Sequence, residues 1–84
     1  MALNLTFGRR FVLQQIAAGD KTGSAISVIA MRKGYNKRDS ARLEWADGFI
    51  RALREVGYIE DTGQTEHRCT VYRVTDAGRK ALES

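Results

Sequence analysis

The chain has 84 residues and a formal charge of +4, with 43% hydrophobic and 29% charged residues. This fits one soluble domain near the size at which a single core suffices. No apolar run approaches the ~20 residues of a membrane span, so no membrane partner is expected. Met1-Ala2-Leu3-Asn4-Leu5 lacks the basic start and apolar core of a signal peptide, and the one cysteine cannot form an internal disulfide, so a cytoplasmic location is expected.

Thr6 is placed to cap a helix from about Phe7 to Ala18, with Val12, Leu13, Ile16 and Ala17 as an apolar stripe at helical spacing. Gly19 ends it, and Asp20-Lys21-Thr22-Gly23 reads as a turn. Ser24 or Thr22 caps a second helix through Met31 or Lys33, with Ile26, Ile29 and Ala30 inward and Gly34 as its stop. Asp39 or Ser40 opens a longer third helix to about Val56. Its predicted buried stripe is Leu43, Ala46, Phe49, Ile50 and Leu53, with Val56 beside it and Trp45 off it. Gly57 stops this helix. Tyr58-Ile59-Glu60 then makes one strand and residues 68–74 another, around a turn at Asp61-Thr62-Gly63-Gln64-Thr65. Thr75 caps a final helix, where Asp76 suits the positive helix end. The predicted class is mainly α with a small β-hairpin (α+β), in the order helix-helix-helix-strand-strand-helix, with residues 1–84 as one domain. A helix delivered straight into a small antiparallel ribbon is the plan of a winged helix, with residues 60–68 as its wing.

Charge is unevenly placed. Up to Leu43 there are eight Lys or Arg against Asp20 and Asp39; from Glu44 onward there are six against eight acids. The densest basic run is Arg32-Lys33-Gly34-Tyr35-Asn36-Lys37-Arg38, followed by Arg42. Such a cluster raises the local potential and attracts a polyanion, and Tyr35 and Asn36 among the charges fit that use. The plainer alternative is that the cations solvate a loop and two helix ends.

Two motifs carry a family resemblance. The run Leu53-Arg54-Glu55-Val56-Gly57-Tyr58-Ile59, followed by Val71-Tyr72-Arg73-Val74-Thr75-Asp76-Ala77-Gly78-Arg79, resembles the MarR and PadR families of winged-helix transcription regulators. Their helix exit reads Leu-x-x-x-Gly-Tyr/Leu-Ile, and their second wing strand ends in Tyr-Arg-Leu-Thr-x-x-Gly-Arg, where Val74 stands for the leucine here. The resemblance spans residues 53–79. It implies a DNA-binding domain whose third helix enters the major groove and whose wing approaches the backbone or minor groove.

On this expectation, duplex DNA is met by Arg32, Lys33, Lys37, Arg38, Ser40, Arg42, Arg51, Arg54 and Arg68. By helical spacing, Ser40, Glu44, Asp47, Arg51 and Arg54 share the solvent face of the third helix. Arg51 and Arg54 suit phosphate oxygens or guanine edges, because a guanidinium donates two parallel bonds. Glu44 and Asp47 suit a polyanion poorly, although a carboxylate accepts from a cytosine amino group. The alternative is that the two arginines only balance Glu44, Asp47 and Glu55 on a solvated helix. In the wing, Arg68 feeds the second strand, and Gln64 and Thr65 offer neutral hydrogen bonds to phosphates. Gly34 to Asp39 is longer than a tight helix-turn-helix connection, so either the third helix starts late, near Glu44, or a basic loop is inserted.

Catalytic and cofactor patterns are weak. His67 and Cys69, two apart on a strand, would share a face as a nucleophile and its base do, but no triad and no set of three or four soft metal ligands accompanies them. Gly19-Asp20-Lys21-Thr22-Gly23-Ser24 holds the residues of a phosphate loop in the wrong order and after a helix. No enzyme activity and no cofactor are expected. Three functions remain: a small transcriptional regulator; an architectural DNA-binder like the excisionase-like factors of phages and mobile elements; and an adaptor without DNA binding, whose protein partner meets Trp45 and the acidic face. A regulator implies a homodimer on a symmetric site. Leu3 and Leu5 alternate with polar positions and suit either a partner or the core.

Overall fold

The computed structural model describes residues 3–37 and 42–83. Helices α1 (Phe7–Ala18), α2 (Gly23–Arg32), α3 (Asp47–Glu55) and α4 (Asp76–Glu83) accompany a sheet of β1 (Lys21–Thr22), β2 (Ile59–Glu66) and β3 (Cys69–Val74). The strands are antiparallel in the order β1-β3-β2, with Lys21 opposite Tyr72 and Ile59 opposite Val74. The α+β class and the order of the predicted elements hold, with one addition. Lys21-Thr22, expected as a turn, pairs with β3 and makes the ribbon three-stranded.

The core gathers the apolar stripes of the helices: Phe11, Val12, Leu13 and Ile16 from α1, Ile26 and Ala30 from α2, and Ala46, Ile50, Leu53, Tyr58 and Ile59 from α3 and its exits. A fully buried aliphatic side chain of this kind contributes roughly 1.5–3 kcal/mol. Leu3 and Leu5 pack against this core, as do Tyr72, Val74, Ala81 and Leu82. Thr22 caps α2 by accepting from the Ala25 amide at 3.1 Å. Thr6 stands at the N-cap of α1 without a side-chain cap bond.

The third helix differs from expectation. Its start at Asp39 or Ser40 lies outside the described residues, and α3 itself begins at Asp47, after a turn over residues 43–46. The late start is the arrangement found. Leu43 is therefore off the helical stripe and 54% exposed, and Val56, beyond the last helical turn, is exposed too. Ala46, Ile50 and Leu53 are buried as predicted.

Buried polar groups explain the connection. Ser27 donates to the Gly23 carbonyl at 2.9 Å and accepts from the Ala46 amide at 3.0 Å, tying α2 to the entry of α3. The Asn36 side-chain amide donates to the carbonyls of Ser27 and Arg42 at 3.3 and 2.8 Å, and its oxygen accepts from the Arg42 amide at 3.4 Å. Asn36 is 5% exposed, so it closes the loop rather than serving the basic surface.

The hairpin is also built differently. Its two-residue tip is His67-Arg68, both at positive φ (50° and 66°), the backbone a primed turn requires. Asp61 opposes Tyr72 and Thr65 opposes Thr70, so Thr62, Gly63 and Gln64 face Val71 alone. The predicted turn at residues 61–65 is thus a bulge inside β2. Gly63, at φ 83°, donates its amide to Asp61 Oδ1 at 2.7 Å, and Thr62 Oγ1 donates to the Val71 carbonyl at 2.9 Å.

Candidate nucleic-acid interface

Three features line up on one side of α3. Its buried residues, Ile50 and Leu53, fix the helix rotation, and that rotation turns Asp47, Arg51 and Arg54 to solvent. Arg51 and Arg54 are three apart and therefore neighbours on the helix surface. Among the described residues neither is in an ion pair or a side-chain hydrogen bond; the ion pair found there joins Glu60 and Arg73 at 2.6 Å, directly opposite each other on β2 and β3. The two arginines are accordingly not consumed by Glu44, Asp47 or Glu55. The Arg54 guanidinium carbon stands 5.8 Å from the centre of the Tyr72 ring, within cation–π range.

Two hollows meet at Tyr72. One, of about 240 Å³, is lined by Asp47, Ile50, Arg51, Arg54 and Tyr72. The other, of about 210 Å³, continues along β3 to the start of α2, with Ser24, Leu43, Glu44 and Cys69 in its walls. The face is electrostatically mixed, with the acids toward the start of α3 and the arginines toward its end.

The upstream cations divide by role. Lys21 Nζ donates to the carbonyls of Gln15 and Gly19 at 2.6 and 3.1 Å, where it closes the end of α1. Arg9 donates to the Asn4 carbonyl at 2.9 Å and holds the N-terminal arm. Arg32, Lys33, Lys37 and Arg42 are exposed; Arg32 and Lys33 sit at the C-terminus of α2, where positive charge is also favourable to the helix. Arg38 and Ser40 lie outside the described residues. Arg68 is exposed at the hairpin tip, not at the start of β3 as expected.

Asn36 belongs to the fold rather than to the basic surface, while Tyr35 beside it is 42% exposed. Tyr35 packs edge-on against Phe7 and Phe11, with ring centres 4.8 and 5.2 Å apart, and Asn36 is the loop closure described above. Trp45 is half-buried between Phe11 and Phe49, at 6.0 and 5.1 Å, so it serves the packing of α1 on α3. The sequence places Tyr72 in a strand and gives it no role at the interface. Its alternation with Thr70 and Val74 marks an inward face, but the meeting with Arg54 needs the tertiary fold.

His67 and Cys69 do not share a strand face, because His67 lies in the turn; Cys69 Sγ is instead 3.5 Å from Ser24 Oγ. Among the described residues no group of three or more His, Cys, Asp or Glu is placed to hold a metal ion, and no helix is long and apolar enough to cross a membrane.

The sequence matches no protein-family model and no curated protein. Among solved structures, the chain is similar to Bacillus subtilis PadR, crystallised in complex with operator DNA, with a TM-score of 0.69 and 19% identity. The match covers 96% of this chain and 46% of that one, so the chain spans about half the length of the PadR chain. The fold of this chain is therefore a winged helix of the kind found in PadR.

Proposed function

We propose that this chain is the DNA-binding element of a transcriptional regulator, with α3 directed at duplex DNA and the β2–β3 hairpin as its wing. The observation that carries this reading is the pair Arg51 and Arg54, exposed side by side on α3 and free of carboxylate partners among the described residues. The fold shared with PadR, which was crystallised in complex with operator DNA, supports duplex DNA as the partner. Arg51 and Arg54 take base edges or phosphates; Arg32, Lys33, Lys37, Arg38, Ser40 and Arg42 take backbone phosphates; Arg68 reaches out from the wing tip. Glu44 and Asp47 accept from cytosine amino groups where they meet bases and repel phosphates elsewhere, so they restrict which sequences the helix tolerates.

Fluorescence anisotropy with a labelled mixed-sequence duplex tests this. Binding is expected at low salt, with affinity falling steeply as salt rises because counterions are released. The double variant Arg51→Ala with Arg54→Ala is expected to lose about 1–3 kcal/mol of binding free energy. No association at roughly 100 µM protein in low salt would refute DNA binding and favour the adaptor.

A further inference from the structure

We propose that Tyr72 is a positioning residue that aims Arg54 at DNA, an inference that rests on the DNA-binding reading above. Arg54 sits in the last turn of α3 with no carboxylate partner among the described residues, and the Tyr72 ring lies 5.8 Å from its guanidinium carbon. The ring itself is held firmly. Tyr72 is on the central strand, opposite Lys21 on one side and Asp61 on the other, and it packs against the core.

The placement suits recognition because a ring contact engages the guanidinium without using a hydrogen bond. Its N–H donors radiate in the plane and remain available for a paired bond to a guanine or a phosphate. A free arginine must give up its rotamer freedom when it docks; one drawn toward a ring on the central strand has less of it to lose. Tyr72 also stands where the two hollows of the candidate interface meet, and so it links the reading helix to the root of the wing.

The test begins by selecting a preferred duplex from a random pool with the unmodified protein, then measures affinity for it and for a scrambled duplex. Tyr72→Leu, which removes the ring and keeps an apolar side chain, is expected to weaken binding to the preferred duplex about two- to fivefold. Its salt slope should be unchanged, because no cation is lost. Tyr72→Phe keeps the ring and is expected to restore affinity to within about twofold. In an Arg54→Ala background, Tyr72→Leu should cause no further loss, since the two act through one contact.

Equal losses in Tyr72→Leu and Tyr72→Phe, or an undiminished loss without Arg54, would assign Tyr72 a structural role and overturn the proposal. If Tyr72→Leu does not fold, NMR of the unmodified protein decides. The Arg54 side-chain N–H should show a ring-current shift that Arg51 lacks, and equal shifts for both arginines would overturn the placement. An unmodified protein that binds no duplex refutes the DNA-binding reading itself; one that binds while Tyr72→Leu behaves identically refutes only the positioning role.

Discussion

Gly78 lies so close to the backbone of Tyr58 that a Cβ at Gly78 would overlap the Tyr58 carbonyl oxygen, which accepts from the Thr75 amide at 3.0 Å. Around this contact, Thr75 Oγ1 donates to the Gly57 carbonyl at 2.6 Å and accepts from the Gly78 amide at 3.2 Å. The exit of α3, the root of the wing and the entry of α4 are therefore clamped at one point. Gly78→Ala is expected to cost about 1–3 kcal/mol, read from the midpoint of urea unfolding. Gly8 supplies the contrast. A Cβ there meets the Phe49 ring, a side chain able to move, so Gly8→Ala should cost less than Gly78→Ala.

Asn36→Ala removes the bonds that join Ser27 to both backbone groups of Arg42 and strands buried partners. A loss of about 1–3 kcal/mol is expected, read from the midpoint of urea unfolding. Lys37→Glu, one position on and exposed, should change stability by no more than about 0.5 kcal/mol. A similar loss for both variants would contradict the closing role of Asn36.

These residues show what the sequence made legible. Helical spacing located Val12, Leu13, Ile16, Ile26 and Leu53 in the core, because a stripe must face something apolar. The Gly57 stop and the Thr75 cap were equally readable, because each follows from local backbone chemistry. Asn36 was misassigned because a polar residue among cations looks like surface until its tertiary partners, Ser27 and Arg42, are known. The hairpin turn was misplaced because Asp61-Thr62-Gly63 has turn composition, whereas His67-Arg68 reaches positive φ without glycine or asparagine. Strand β1, two residues long, carries too few side chains to show alternation.

The tip at His67-Arg68 carries backbone strain that Asn-Gly would relieve. The double variant His67→Asn with Arg68→Gly is expected to gain about 1 kcal/mol, a rise of roughly 4–8 °C in Tm. The same variant removes the wing-tip cation, so duplex affinity should fall as stability rises. Calorimetry and anisotropy on one sample give both signs; a joint rise would exclude Arg68 as a DNA contact.

Charge reversal in the basic run can be set against loss of a paired arginine. Lys37→Glu with Arg38→Glu is expected to weaken duplex binding and flatten its salt dependence. Arg73→Ala should leave binding nearly unchanged, since Arg73 is engaged with Glu60, and should cost at most about 1 kcal/mol of stability. Unchanged affinity after the double reversal would remove the loop from the phosphate-anchoring surface.

The bulge in β2 also bears on how this chain behaves in a crowded solution. In the order β1-β3-β2 the second strand is an outer one, and its unpaired side offers backbone groups to any extended chain that drifts past. Thr62, Gly63 and Gln64, crowded opposite Val71, break the even spacing such a visitor needs, while Thr62 Oγ1 bonds across to β3 and Asp61 Oδ1 accepts from the Gly63 amide within β2. The irregular stretch thus works as a guard against strand-to-strand stacking between copies, leaving the wing free to stand out from the body of the protein without becoming a seed for aggregation.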